Sequence, residues 1–214
     1  MMSSFLVVPL VAALGAPVVE PARLDRWSLG DRPPLAQGGG EVLIELAVSA
    51  AGAVTGARIL RDTPPFTEML RRASMAWTFT PATDGGQAVA SRVLLAGLFR
   101  PPVLQNVPTI GEPPREAGEP SAEVAFPSRL VPPAYPPTAI GDALVLLEAS
   151  VSPEGLVRET RVLRPAPGFD GAADEAARQW RFRSARRGGA AAASRAYLVF
   201  GFRQPVTPPQ PAPP

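Results

Sequence analysis

The residues able to do chemistry in this chain are few, and they come in pairs. Glu45 and Glu148 each lie within an alternating apolar segment, followed at equal distances by Arg58 and Arg161, Arg61 and Arg164, and Ser91-Arg92 and Ser194-Arg195. Histidine and cysteine are absent from the 214 residues, and all 21 basic residues are arginine. No thiolate nucleophile, imidazole base, Schiff-base lysine, P-loop or usual zinc site can be assembled from such a set. What remains is carboxylate chemistry, which needs two acids in one place, and Glu45/Glu148 is the only acid that recurs. A lone strand Glu reads as solvated or salt-bridged, and the recurrent arginines read as outward-facing salt-bridge partners. The composition therefore points to a protein that is not an enzyme, with no cofactor and no catalytic or metal-ligating residues.

These pairs belong to a larger repeat. Residues 42–103 match residues 145–206 without a gap at an offset of 103, with 27 of 62 positions identical. Trp77/Trp180, Phe79/Phe182, Gly52/Gly155, Gly85-Gly86/Gly188-Gly189 and Phe99-Arg100/Phe202-Arg203 are among them. A weaker match continues upstream, where Pro33-Pro34, Ala36 and Gly38 lie against Pro136-Pro137, Ala139 and Gly141. A period this long denotes a small domain present twice, not a solenoid repeat. The units are expected at 26–103 and 129–206.

Each unit reads as strand, strand, helix, strand. Val42, Ile44, Leu46 and Val48 alternate with their neighbours, as do Val145, Leu147, Ala149 and Val151, which is the period of a strand. Gly52 and Gly155 supply the hairpin turn into second strands over 54–61 and 157–164. Thr67 and Asp170 are candidate N-caps for helices over 67–76 and 170–179. Trp-x-Phe then reads as core packing, and a Gly-Gly turn leads to last strands over 88–100 and 191–203. The fold class expected is α+β, two small domains, each one helix on a three-stranded antiparallel sheet. Such a sheet leaves an edge of unpaired backbone groups, to which an extended peptide can add.

The remaining segments have compositions of their own. Phe5–Val19 is an apolar run too short to span a bilayer comfortably, and with Ala13-Leu14-Gly15 it reads as a secretory signal within a lead-in over 1–25. Residues 104–128 carry one arginine against four acids and several prolines, and read as a solvated linker. Residues 207–214 read as a polyproline-like tail. Arg178, Arg181, Arg183, Arg186 and Arg187 read as a solvated helix end and turn, and no nucleic-acid partner is expected.

Tyr135-Pro136-Pro137, Gly141, the alternating strand, Pro153-Glu154-Gly155, Trp180-Arg181-Phe182, Gly188-Gly189 and the terminal aromatic strand together resemble the carboxy-terminal domain of TonB, a periplasmic energy transducer. The resemblance covers 133–203, and residues 39–100 look like a diverged copy with Arg32-Pro33 where the second has Tyr135-Pro136. It implies a periplasmic, or alternatively inner-membrane-associated, binding protein that captures extended segments of outer-membrane receptors or other envelope proteins by strand addition, in support of TonB-dependent transport. Carried over by position, Pro133, Tyr135, Pro136, Tyr197, Leu198, Val199 and Phe200 would contact the peptide. The histidine-bearing anchor of a full transducer is not matched. The second reading is an envelope scaffold or peptidoglycan-associated protein whose sheet edges serve domain pairing or a homodimer.

Overall fold

The computed structural model describes residues 19–31, 33, 38–101 and 114–205. The apolar run up to residue 18, linker residues 104–113 and the tail from 206 onward lie outside the described residues. The first unit comprises β1 (Val19–Glu20), β2 (Arg23–Arg26), β3 (Gly40–Val48), β4 (Val54–Asp62), α1 (Phe66–Ser74), β5 (Thr78–Thr80), β6 (Ala82–Asp84), β7 (Gln87–Val89) and β8 (Ser91–Phe99). The second follows as β9 (Arg115–Glu116), β10 (Phe126–Arg129), β11 (Ala143–Val151), β12 (Val157–Arg164), α2 (Asp170–Arg178), β13 (Arg181–Arg183), β14 (Ala185–Arg187), β15 (Ala190–Ala192) and β16 (Ser194–Phe202). The class is α+β, mostly strands.

Within each unit the three long strands pair antiparallel, as expected, with the first strand between the second and the last. The two sheets do not stay separate. β16 pairs in parallel with β8, Ala196 opposite Leu94 through Gly201 opposite Phe99. The result is one mixed sheet in the order β12-β11-β16-β8-β3-β4-β9.

Because β8 and β16 pair one residue out of the 103 offset, Leu94 opposite Ala196 and not Tyr197, matching side chains face opposite sides of that sheet. Val42, Ile44 and Leu46 pack with Phe66, Leu70 and Trp77 on one face, and Tyr197 and Val199 of the second unit join them. On the other face Val145, Leu147 and Ala149 pack with Ala173, Ala176, Ala177 and Trp180, joined by Leu94, Ala96 and Leu98 of the first unit. One helix covers each face. The two last strands are buried from both sides, which is why Leu94-Leu95-Ala96 and Tyr197-Leu198-Val199-Phe200 are continuous apolar runs where β3 and β11 are interrupted by Glu.

The repeat begins earlier than the expected boundaries at 26 and 129. β2 pairs with β5 and β10 with β13, in matching registers at the 103 offset. The indole N–H groups of Trp77 and Trp180 donate to the carbonyls of Ser28 and Val131, at 2.8 and 2.9 Å. Parts of the expected lead-in and linker are thus packed into the units: Ala22, Leu24, Val124 and Ala125 are core residues, while residues 114–119 are exposed.

Local expectations are met with small shifts. Gly52 and Gly155 have φ of 81° and 78°, and a Cβ at either would collide with the carbonyl of Phe79 or Phe182. The Gly-Gly pairs turn a short extra hairpin, β6–β7 and β14–β15, ahead of each last strand. Thr67 and Asp170 are not N-caps. The caps are Pro65 and Phe169, and the two side chains instead accept the N–H groups of Thr63 and Ala166, four residues back, at 2.8 Å.

Phe99 ties the halves together at the parallel seam. Its ring stacks on Phe66 with centroids 4.1 Å apart, and a Cβ at Gly201 would come within 2.5 Å of it. The glycine of one unit makes room for the aromatic ring of the other. Gly201→Ala is expected to destabilise the whole chain by about 1–3 kcal/mol, as overpacking of a rigid core does. Denaturant unfolding followed by far-UV circular dichroism and by tryptophan emission should shift as one transition, not as two.

Candidate peptide-binding edge

Two buried carboxylates organise the two ends of the sheet. Glu45 has a fully buried side chain, and Arg58 Nη2 donates to both its oxygens at 2.8 and 2.9 Å. Arg92 Nη1 and the Ser121 N–H each donate at 2.8 Å. Burial pushes the Glu45 carboxyl up, but the Ser121 N–H and the Arg58 guanidinium outweigh it and hold the group below its ordinary value of 4.5. Segment 119–125 is thereby clamped over β3. Glu148, its counterpart, accepts from Arg161 at 3.4 Å and lies 3.7 Å from Arg195 Nε. The salt-bridged reading of both acids is correct.

Tyr197 completes the second cluster. Its hydroxyl accepts the Leu24 N–H at 2.8 Å and lies 3.2 Å from Glu148 Oε2 and 3.4 Å from the Ala22 carbonyl, either of which can accept the hydrogen bond it donates. Burial, then the Glu148 carboxylate, pushes this phenol far above its ordinary range.

This placement corrects the expected peptide contacts at Tyr197, Leu198, Val199 and Phe200. All four are fully buried, and their strand is bonded to β11 on one side and β8 on the other. No backbone edge remains there to receive a peptide. The Tyr-Pro entry serves the loop before β11 instead. Pro133 is buried and its carbonyl accepts from Arg100 Nη1 at 2.9 Å. The Tyr135 ring meets Phe169 edge-on at 5.6 Å, its hydroxyl donates to the Gly141 carbonyl at 2.9 Å, and the Pro136 carbonyl accepts the Ala139 N–H at 3.1 Å.

Apart from the two-residue β9, the outermost strands of the shared sheet are the second strands, β4 and β12. Their two outer sides are not treated alike. On β4 the chain adds its own segment: β9 pairs antiparallel, Arg61 opposite Glu116, and the Ala117 N–H donates to the Leu60 carbonyl at 2.9 Å. Arg61 bonds Glu116 at 2.7 Å and Glu41 at 2.6 Å. Outside β12, no strand pairs among the described residues. Arg164, the counterpart of Arg61, reaches the Leu144 carbonyl at 3.4 Å and lies 3.9 Å from the fully exposed Asp31. Leu163, the counterpart of the fully buried Leu60, is only half-buried. A cleft of about 460 Å³ opens beside Arg164, lined also by Asp31, Asp142, Leu144, Pro165, Pro167 and Phe169.

The sequence held a signal for this arrangement. Arg61/Arg164 and Leu60/Leu163 recur, and Glu116 has no matching acid upstream of the first unit. Which strand lies outermost depends on the β8–β16 pairing, which no local pattern specifies. No protein-family model matches the chain, and no curated protein matches it. No helix among the described residues is long and apolar enough to cross a membrane.

Glu45 gives a test with a defined sign. Its carboxyl is more acidic folded than unfolded, so its contribution is complete above about pH 4.5 and is lost as pH falls through the lower folded value. Glu45→Gln should cost about 1–3 kcal/mol at neutral pH, the range for a charge-assisted hydrogen-bonding group. In urea unfolding series the gap between variant and parent should shrink as pH falls below 4.5.

Proposed function

We propose that the chain is an envelope binding protein built from two TonB carboxy-terminal-like units, which captures an extended peptide segment of an envelope partner by strand addition at the outer edge of β12. The observation that carries this reading is the β9 segment on β4: the same fold, in the same chain, already holds an extended segment antiparallel on the matching strand. Main-chain hydrogen bonds supply the affinity of such a complex, and the side chains along the edge supply its selectivity. Each unit contains the strand, strand, helix, strand order read from its residues, which supports the reading, and the apolar amino-terminal run supports export to the periplasm. The chemistry is binding, without a catalytic step.

Compared with the sequence expectation, the peptide moves to the opposite side of the unit. The last strands, on which the resemblance places it, serve domain pairing inside the chain, as the scaffold reading anticipates for sheet edges. The peptide reading retains β12.

The test is a titration of the isotope-labelled full chain with extended peptides drawn from envelope proteins, followed by backbone amide shifts. Shifts confined to 157–164 and the adjoining turn, with 194–202 unmoved, are expected. Shifts centred on 194–202, or silence across the peptide set, would contradict the proposal.

A further inference from the structure

Resting on that reading, we propose that the β12 edge selects a segment in which an acidic residue is followed two places on by a small one, running antiparallel, with the carboxylate on Arg164 and the small residue against Leu163. The structure supplies the template. At the β4 edge Glu116 sits opposite Arg61, Ala117 makes the next main-chain bond, and Gly118 lies against Leu60, where an added Cβ would stand 3.0 Å from the Ile59 carbonyl and 3.9 Å from the Leu60 side chain. Glu-Ala-Gly is therefore fitted to this edge in chemistry and size.

At β12 the receiving groups recur and the supplied ones do not. Arg61 is satisfied by two carboxylates, Glu116 from the added segment and Glu41 from β3. Leu144 replaces Glu41 beside Arg164, so the guanidinium loses its in-sheet carboxylate and keeps the Leu144 carbonyl at 3.4 Å and the solvated Asp31 at 3.9 Å. The remaining acid of the cleft, Asp142, is engaged with the Gln204 N–H at 2.9 Å and lies 3.8 Å from Arg203. An incoming carboxylate would supply Arg164 with the charge-assisted bond that Arg61 already has. Leu163 remains partly exposed because nothing corresponding to Ala117-Gly118 covers it among the described residues. The residue ahead of the acid is not selected: Arg115 faces Asp62 at β4, whereas Pro165 stands at that place and offers no N–H.

The probe is a peptide with the sequence of residues 114–120, Pro-Arg-Glu-Ala-Gly-Glu-Pro, beside versions with Gln or Lys in place of its first Glu and a version with Leu in place of its Gly. Binding to the full chain is read by amide shifts and by titration calorimetry at two salt concentrations. The Glu peptide is expected to bind about tenfold tighter than the Gln peptide, the usual worth of a hydrogen bond to a charged group. The Lys and Leu versions should be weaker still. In Arg164→Gln the Glu/Gln difference should vanish while the Gln peptide still shifts 157–163, and an unchanged melting temperature separates this from loss of the fold. Equal affinity of the Glu and Gln peptides, with shifts on β12, overturns the inference and leaves strand addition standing. Silence from every peptide overturns both. A concentration-dependent mass that broadens β12 resonances without peptide would assign the edge to a second copy and overturn the selection of a partner segment.

Discussion

The parallel pairing of β8 with β16 is the constraint on which the rest of the molecule depends. A small unit of one helix and three strands buries little surface and is marginal alone. Joining two of them through their last strands converts two edges into the centre of a seven-stranded sheet, and each unit then lends side chains to the core of the other. Tyr197 lies edge-on to Trp77 and Phe79 of the first unit, with centroids 6.4 and 5.5 Å apart, and Phe99 rests against Gly201 of the second. The units are duplicated in sequence but not independent in structure.

From that pairing follows the division of labour at the edges. Its one-residue shift from the 103 offset places the helices on opposite faces, and the identical strand order of the units leaves the second strands outermost apart from β9. The segment entering the second unit must cross the sheet of the first to reach its own start. On the way it deposits β9 on β4 and presents the Ser121 N–H to Glu45. The same crossing explains why Glu45 is more fully bonded than Glu148. Arginine suits these positions because its planar fork can bind two acceptors at once, as Arg61 does with Glu41 and Glu116.

Much of this was legible in the residues. The alternation in 42–48 and 145–151, the positive-φ glycines at 52 and 155 and the buried Trp-x-Phe pairs fixed the elements of each unit, because local periodicity and turn chemistry are local quantities. The seam was legible only in hindsight. Tyr197-Leu198-Val199-Phe200 lacks the polar alternation of an edge strand, and a continuous apolar run is the signature of a strand covered on both faces. Read as an open edge, it was expected to receive a peptide, but both of its backbone sides are bonded within the sheet. The linker misled for a related reason: prolines and acids over 114–128 resemble a solvated tether, yet Val124 and Ala125 find cover only once the two sheets are one.

Amide hydrogen exchange on the intact chain compares the two strands most directly. The account predicts that Tyr197–Phe200 on β16 exchange only through global unfolding, as slowly as Leu94–Ala96 on β8, while outward amides of β12 exchange orders of magnitude faster through local opening. Fast exchange along β16 with protection along β12 would contradict it, since the seam would then be open and the proposed peptide edge already closed.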